Sequence, residues 1–152
     1  MIGRIILFLL LNFGALAIGG YFTGAGVPSE WYESLNKAPW NPPGWVFGAA
    51  WTTIMIAFSV YMAFAVKAVQ GLKVFILLYV IQWVLNVAWN PVFFYFQWVL
   101  FGLFVIAALT GLVAFLMISY RSAMKAKSLL LLPYLIWLCI ATSLNAYIYF
   151  MN

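Results

Sequence analysis

Ser29-Glu-Trp-Tyr-Glu-Ser-Leu-Asn-Lys-Ala-Pro-Trp-Asn-Pro-Pro43 is the polar stretch that divides this chain, and the apolar runs on either side of it decide the fold. It holds both acidic residues of the chain, Glu30 and Glu33. The surrounding sequence is rich in Leu, Ile, Val, Phe and Ala. Because prolines stiffen this polar segment, we expect specific contacts to be made here.

The composition argues against a soluble globular protein. Of the 152 residues, 68% are hydrophobic and only 6% are charged. Such a chain suits lipid, where every backbone polar group must find its hydrogen bond within the chain. Transmembrane barrels show alternating segments of about 10 residues, and none is visible in this sequence. The predicted fold class is therefore all-α, an integral membrane bundle.

Five apolar runs predict five transmembrane helices in a single domain, residues 1–152. Their approximate bounds are 5–22, 45–66, 74–94, 98–120 and 128–150, with a long lid loop over 23–44. The first run is 18 residues long, and at about 1.5 Å per residue it just crosses a bilayer. This run has an alternative interpretation as a cleaved signal peptide, with Ala15-Leu16-Ala17 as the cleavage site.

The charges at the helix ends predict the orientation in the membrane. Lys37 and both acids fall on one side, and six basic residues fall on the other: Arg4, Lys67, Lys73, Arg121, Lys125 and Lys127. The positive-inside rule places the N-terminus inside and the loop outside. Topology thus accounts for the net charge of +5 without a nucleic acid partner. A bacterial cytoplasmic membrane is the simplest host, with an outer membrane as the alternative.

The reactive residues are few. The chain has no histidine, two carboxylates and one cysteine, Cys139. Metal sites, disulfides and paired acid–base catalysis are therefore not expected, and no cofactor is required. We expect Cys139 to be a small buried hydrophobic residue, and Glu30 and Glu33 to serve as capping and solvating charges.

Capping signals predict the local structure of the loop. Ser29 is a suitable N-cap for a short helix. Asn41 is predicted to cap the second long helix, with Pro42 at its first position. Trp40 and Trp45 would then form a hydrophobic staple that fixes the entry angle of this helix.

Two helices carry polar stripes at helical spacing. The third helix has Gln82, Asn86, Trp89 and Phe93, and the fifth has Tyr134, Trp137, Ala141 and Asn145. Amides that face hydrocarbon are costly, so both stripes are predicted to face the interior of the bundle. Pro91 is expected to bend or end the third helix. The fourth helix is almost purely apolar and is predicted to be a lipid-facing wall.

Each stripe also has a purely structural interpretation. The amides of Gln82, Asn86 and Asn145 could form interhelical hydrogen bonds, worth about 0.6 kcal/mol each. Tryptophans also anchor proteins at membrane interfaces, and we assign Trp83 and Trp98 to that role. Trp51, Trp89 and Trp137 share stripes with polar or small residues, which favours a pocket.

Three motifs resemble the TspO / mitochondrial benzodiazepine receptor family, whose members are called tryptophan-rich sensory proteins or translocator proteins. The first comprises Trp31-Tyr32, Leu35, Lys37, Trp40, Pro42-Pro43 and Trp51. The others are Asn86-Val-Ala-Trp-Asn-Pro91, and Leu132-Pro-Tyr-Leu-Ile-Trp137 with Ala141-Thr142 and Leu144-Asn145. The family usually has Lys-Pro-x-Trp where this chain has Lys37-Ala38-Pro39-Trp40, so the backbone before Trp40 is expected to differ.

The resemblance implies a five-helix bundle, often a homodimer, whose cavity opens under the first loop. The family's ligands are porphyrins such as protoporphyrin IX and synthetic isoquinoline carboxamides. Carried over by position, the ligand-binding residues are Tyr32, Trp40, Pro42, Pro43, Phe47, Trp51, Asn86, Trp89, Phe93, Trp137 and Ala141. Some members bind cholesterol, but no Lys or Arg follows Lys127. The sterol signature expected at the end of the fifth helix is therefore missing, and sterol binding is not supported.

These residues support three functions. The first is a membrane receptor or regulator that binds porphyrins in an intrabundle pocket. The alternative is a light-dependent porphyrin-degrading enzyme, in which the resemblance gives Trp51 and Trp137 the redox role. A second alternative is a transporter of small amphiphiles, which is disfavoured because the sequence has no internal repeat and no charge within its apolar runs to couple to an ion gradient.

Overall fold

Helices account for most of the chain in the computed structural model, which describes every residue from Met1 to Asn152. The long helices are α1 (Ile2–Gly26), α3 (Gly44–Ala68), α4 (Leu72–Asn90), α5 (Val99–Ser119) and α7 (Leu132–Met151). The short ones are α2 (Glu30–Ser34) and α6 (Arg121–Met124). Five helical segments are long and apolar enough to cross a membrane. The all-α membrane fold is confirmed.

The five long helices form a closed ring. α1 packs against α3 and α4, α4 against α5, α5 against α7, and α7 against α3. The interior is filled by large side chains, among them Phe58, Tyr61, Met62, Phe75 and Tyr134. A ring of this kind has an inside that side chains from all five helices can reach.

Buried hydrogen bonds fix α1 against its neighbours. The Asn12 Nδ2 donates to Ser59 Oγ on α3 at 2.9 Å, and the Tyr79 hydroxyl of α4 donates to Asn12 Oδ1 at 2.9 Å. The Trp83 indole on α4 donates to the Leu11 carbonyl at 2.9 Å. Polar groups in hydrocarbon stabilise helix association only when they are paired in this way. Trp83 therefore joins two helices near the middle of α4 and is not an interface anchor, which corrects its assignment.

The predicted start of the second long helix at residue 45 is within one residue of the observed start, but its predicted cap is wrong. α3 begins at Gly44 with Pro43 as its N-cap, so Asn41 and Pro42 lie outside it. A residue that precedes a proline is disfavoured in helical conformation, and Pro42 precedes Pro43. The Asn41 backbone N–H instead donates to the Ala38 carbonyl at 2.9 Å and closes a turn.

The predicted hydrophobic staple is also absent, because the Trp40 ring packs against another helix and Trp45 is exposed. The Trp40 ring packs against Tyr147 of α7, with ring centroids 5.4 Å apart. Trp45 is 75% exposed. The angle at which the chain enters α3 is therefore not set by a contact between these two rings.

Several helix ends differ from the prediction. α1 continues to Gly26, so the loop is shorter than residues 23–44. Pro91 ends the α-helical part of α4, as expected from its missing N–H, and the chain continues as a π-helical turn, Pro91–Tyr95. α7 begins at Leu132, after a 3-10 segment, Lys125–Leu131, in place of a helix from residue 128.

Two predictions about burial are corrected. α5 is not only a lipid-facing wall, because one of its faces is buried: Gly102, Ile106, Leu109, Val113 and Leu116. A helix that is apolar all round gives no sequence signal for the face that packs. Cys139 is exposed on α7; it is not a buried residue.

Candidate ligand cavity

A cavity of about 530 Å³ lies inside the ring, in the half next to the loop. Its walls come from α1, α3, α4 and α7, and the α2 segment contributes Tyr32 from the loop. Known small-molecule sites have volumes of about 300–1,000 Å³ and mostly apolar walls with a few polar groups. The cavity has both properties.

Eight of the eleven residues predicted to bind ligand line this cavity. They are Tyr32, Pro42, Phe47, Trp51, Asn86, Trp89, Phe93 and Ala141. They come from the loop, α3, α4, the π-helical turn and α7. That they bind a ligand remains a prediction, but they do surround one space.

Trp40, Pro43 and Trp137 lie elsewhere. Pro43 is at the N-cap position of α3, and Trp40 packs against Tyr147 in the C-terminal part of α7. Trp137 is only 5% exposed and borders a separate groove of about 380 Å³ between α3 and α7. The Phe47 ring lies between it and the cavity, with its centroid 5.2 Å from that of the indole.

The ceiling of the cavity is an aromatic cluster built on α2. Ser29 caps this helix as predicted, since its Oγ accepts the Tyr32 backbone N–H at 3.2 Å. The Trp31 and Tyr32 rings pack against Phe93 with centroids 5.7 and 6.4 Å apart. Tyr32 also contacts Phe94 at 5.5 Å. The cap therefore aims Tyr32 down into the bundle, and burial raises the pKa of its phenol above the usual 10.0.

One cation lies next to this ceiling. The Lys37 Nζ is 4.6 Å from the centroid of the Tyr32 ring, within the range of a cation–π contact. It also donates to the Glu33 carbonyl at 3.3 Å. None of the residues that line the cavity itself is charged at neutral pH. Lys37 is therefore positioned to meet an anionic group that projects from the mouth.

Two contacts fasten the second half of the loop to α7, and we call them the latch. The Asn152 side chain pairs with the backbone of Asn36, accepting its N–H at 2.7 Å and donating to its carbonyl at 3.2 Å. The Trp40 indole donates to Ser143 Oγ at 3.1 Å. Together with the α2 cluster, the latch holds the loop across the end of the bundle that contains the cavity.

Four of the polar side chains that line the cavity are already paired within the chain, those of Thr23, Trp89, Asn90 and Asn145. The Trp89 indole donates to Asn145 Oδ1 at 3.0 Å, and Asn145 Nδ2 donates to the Val99 carbonyl at 3.0 Å. Thr23 donates to Asn90 Oδ1 at 2.8 Å, and Asn90 Nδ2 donates to the Asn86 carbonyl at 3.1 Å.

The side-chain amide of Asn86 differs from these groups. It has no partner within the chain, although Asn86 is only 8% exposed and lines the cavity. It can therefore both donate a hydrogen bond to a ligand and accept one from it.

The α1 wall was not identified as part of a site by sequence reasoning. Ala15, Gly19 and Thr23 line the cavity from this helix, opposite Asn90. A Cβ on Gly19 would lie 2.5 Å from Asn90 Nδ2, so the glycine allows the two helices to approach closely. The small residues of α1 indicated close packing, but they did not identify the partner helix.

Comparison with known proteins identifies the family. The model of the TspO/MBR family matches residues 6–151. The chain belongs to the TspO/MBR family. It is 37% identical to the tryptophan-rich sensory protein of Cereibacter sphaeroides over 138 residues, 90% of this chain and 87% of the relative.

Other organisms contain further relatives. The TspO/MBR chain is 37% identical to the tryptophan-rich protein TspO of Archaeoglobus fulgidus over 136 residues, 88% of this chain and 87% of that one. It is 33% identical to the human translocator protein over 138 residues, 83% of this chain and 79% of that one. Membership of the family supports an integral membrane protein with a receptor or regulator role in general.

Proposed function

We propose that this TspO/MBR protein is a membrane receptor or regulator that binds porphyrins, such as protoporphyrin IX, and similar flat apolar ligands in the cavity beneath α2. The observation that carries the proposal is the convergence of Tyr32, Phe47, Trp51, Trp89 and Phe93 on one uncharged space. Aromatic walls suit a flat macrocycle through offset and edge-to-face contacts. We favour binding over acid–base catalysis, because none of the residues that line the cavity is a charged group that could act as a general acid or base.

The polar groups of the site match the polar parts of such ligands. Porphyrin carboxylates cannot be buried among uncharged walls without a partner, so they would project from the mouth towards Lys37. The pyrrole N–H groups, or the carbonyl of an isoquinoline carboxamide, would meet the free amide of Asn86. A porphyrin is thus a ligand of the site and not a resident cofactor.

A pair of matched substitutions tests the cavity. Ala141 lines the cavity from α7, whereas Ala49 is exposed and lines the separate groove between α3 and α7. Ala141→Phe would fill the space that a ligand needs, and Ala49→Phe adds the same bulk outside it. Protein fluorescence is titrated with protoporphyrin IX: saturable quenching is expected in the wild type and in Ala49→Phe, but not in Ala141→Phe. Equal quenching in the wild type and in both variants would contradict the proposal.

A second candidate function is the light-dependent degradation of a bound porphyrin. It is favoured by Trp51, whose indole is on the cavity wall with the Tyr134 ring 6.0 Å behind it. Trp137 lies behind Phe47 and would act only at a distance. The test is whether a new absorbing product forms under light and is lost in Trp51→Phe while binding persists. Bleaching equal to that of free porphyrin would exclude this function.

We also propose the orientation and assembly of the protein. Six basic groups at one end of the bundle, against Lys37 and two acids at the other, favour the N-terminus inside and α2 outside. A bacterial cytoplasmic membrane is the simplest host. A homodimer is proposed from the family resemblance alone, and chemical cross-linking in the membrane at increasing lipid-to-protein ratio would test it.

A further inference from the structure

We infer that ligands reach the cavity sideways, from the hydrocarbon of the membrane, through a glycine-lined seam between α1 and α3. The inference rests on the proposed function, since it concerns the ligand of the same cavity. It assigns a role to exposed glycines that neither pack against a neighbour nor occupy a turn. It also narrows the ligand class to molecules that dissolve in the bilayer before they bind.

The route from above is obstructed by paired groups. Under the loop, Tyr32 packs against Phe93 and Phe94. Beside it, the latch pairs Asn36 with Asn152 through two hydrogen bonds. A ligand that entered through the loop would have to separate the aromatic cluster from the π-helical turn or break these bonds.

The side between α1 and α3 is different, because its rim has almost no side chains. Gly20 on α1, and Gly44, Gly48 and Thr52 on α3, line the cavity and are exposed at the same time. No atom lies within 4 Å of a Cβ added at any of the three glycines. We call this rim the seam. A residue that borders a cavity and is also exposed marks an opening. The one other exposed residue of the lining, Val27, follows α1 at the loop, whereas all four residues of the seam belong to two candidate membrane spans.

The seam is long enough to admit a ring system. The helices are held together deeper in the bundle, where Asn12 bonds to Ser59. From Gly44 to Thr52 the rim rises along eight residues of α3, about 12 Å at ~1.5 Å per residue. At Gly20, Gly44 and Gly48 no side chain blocks the path of a flat ligand that enters edge-on, and no hydrogen bond between side chains crosses the seam.

The experiment adds side chains at the exposed rim of the cavity, where the seam faces the lipid. Gly48→Leu places an isobutyl group in the open rim, and Gly20→Leu repeats the block from the α1 side. Gly111→Leu is the matched control, because Gly111 is exposed on α5 and likewise has no atom within 4 Å of an added Cβ. The double variant Ser143→Ala/Asn152→Ala opens the latch. Each protein is reconstituted in vesicles, protoporphyrin IX is added, and quenching is followed in time and at equilibrium.

The seam predicts a kinetic signature. Blocking a route slows entry and exit together, so Gly48→Leu and Gly20→Leu should lower both the association and the dissociation rate by about tenfold or more, a change larger than any accompanying change in Kd. Gly111→Leu and the latch variant should associate at the wild-type rate. A wild-type rate in both seam variants, or faster association only when the latch is opened, would overturn the inference and favour entry through the loop.

Failure of the inference differs from failure of the proposed function. If the wild type shows no saturable quenching, then the cavity does not bind porphyrin and the proposed function is wrong. If quenching is saturable but a seam variant changes Kd through dissociation alone, then the glycines are contact residues and the route is wrong. Thermal unfolding of each variant verifies that the substituted bundle is folded.

Discussion

At the scale of single residues, two asparagines that line the cavity differ in their side-chain hydrogen bonds. Both side-chain atoms of Asn145 are hydrogen-bonded, to Trp89 of α4 and to the Val99 carbonyl at the start of α5. Asn86 lies across the same cavity with its amide free. The sequence analysis considered both as sources of interhelical hydrogen bonds, and it predicted only Asn86 as a ligand contact. The structure separates them, because only one has found partners in the chain.

We therefore predict that substitution of the two residues has different effects. Asn145→Leu leaves the buried Trp89 N–H unpaired, which should lower the free energy of unfolding by about 1–3 kcal/mol. Asn86→Leu removes no internal bond, so unfolding should be nearly unchanged while protoporphyrin binding weakens by about fivefold, the equivalent of one hydrogen bond. Unfolding in denaturing detergent and equilibrium titration measure the two effects. A destabilised Asn86→Leu protein would contradict the assignment.

A second contrast between residues concerns the end of α1. A Cβ on Gly26 would collide with the Phe94 ring, whereas a Cβ on Gly24 meets nothing within 4 Å. Alanine in a helix is otherwise favoured over glycine by about 0.5–1 kcal/mol. Gly24→Ala should thus raise the thermal unfolding temperature or leave it unchanged, and Gly26→Ala should lower it. If the unfolding temperature rose in both variants, the Phe94 ring would have moved aside without a loss of stability.

At the scale of elements, α2 is a five-residue helix held by one cap and one aromatic cluster. Helices this short are not stable alone, so its position depends on the burial of Tyr32. That burial favours the neutral phenol and raises the pKa of Tyr32 above 10.0. The stability that this ring gives to the α2 cluster is then fully present below pH 10, and it is lost as the pH rises through the raised pKa.

The fluorescence of the α2 cluster should consequently depend on alkaline pH. Trp31 packs against the same Phe93 ring as Tyr32, so its emission should shift when the phenol ionises above pH 10. Tyr32→Phe keeps the ring and removes the titrating group, and it should abolish the shift. If the shift persists in that variant, another tyrosine is responsible.

At the scale of the whole molecule, the apolar runs predicted the number and order of the spanning helices, because lipid selects length and hydrophobicity. The details depended on contacts that a sequence does not display. Trp137 and Ala141 share one stripe of α7, yet only Ala141 lines the cavity, because Phe47 from α3 fills the space beside the indole. The α1 wall was not predicted for a similar reason. Gly19 has no side chain, and its role in close packing is recognised only from its short distance to Asn90.

The proposed orientation of the bundle leads to a labelling prediction. In a Cys139→Ala background, single cysteines at Ser34 on α2 and at Ser122 on α6 lie at opposite ends of the ring, and both positions are exposed. In intact cells, a membrane-impermeant maleimide should label Ser34→Cys and spare Ser122→Cys until the membrane is permeabilised. Labelling of Ser122→Cys but not of Ser34→Cys in intact cells would show that the topology is the reverse of the proposed one.

The exposed position of Cys139 has a practical consequence. It is the one thiol of the chain, it lies on the outside of α7, and α7 is part of a candidate membrane span. A nitroxide attached there would sample the acyl chains, and the ratio of its collisions with oxygen and with a water-soluble nickel chelate would give the immersion depth of the helix. The wild-type chain thus provides its own attachment point for electron paramagnetic resonance, without any engineered residue.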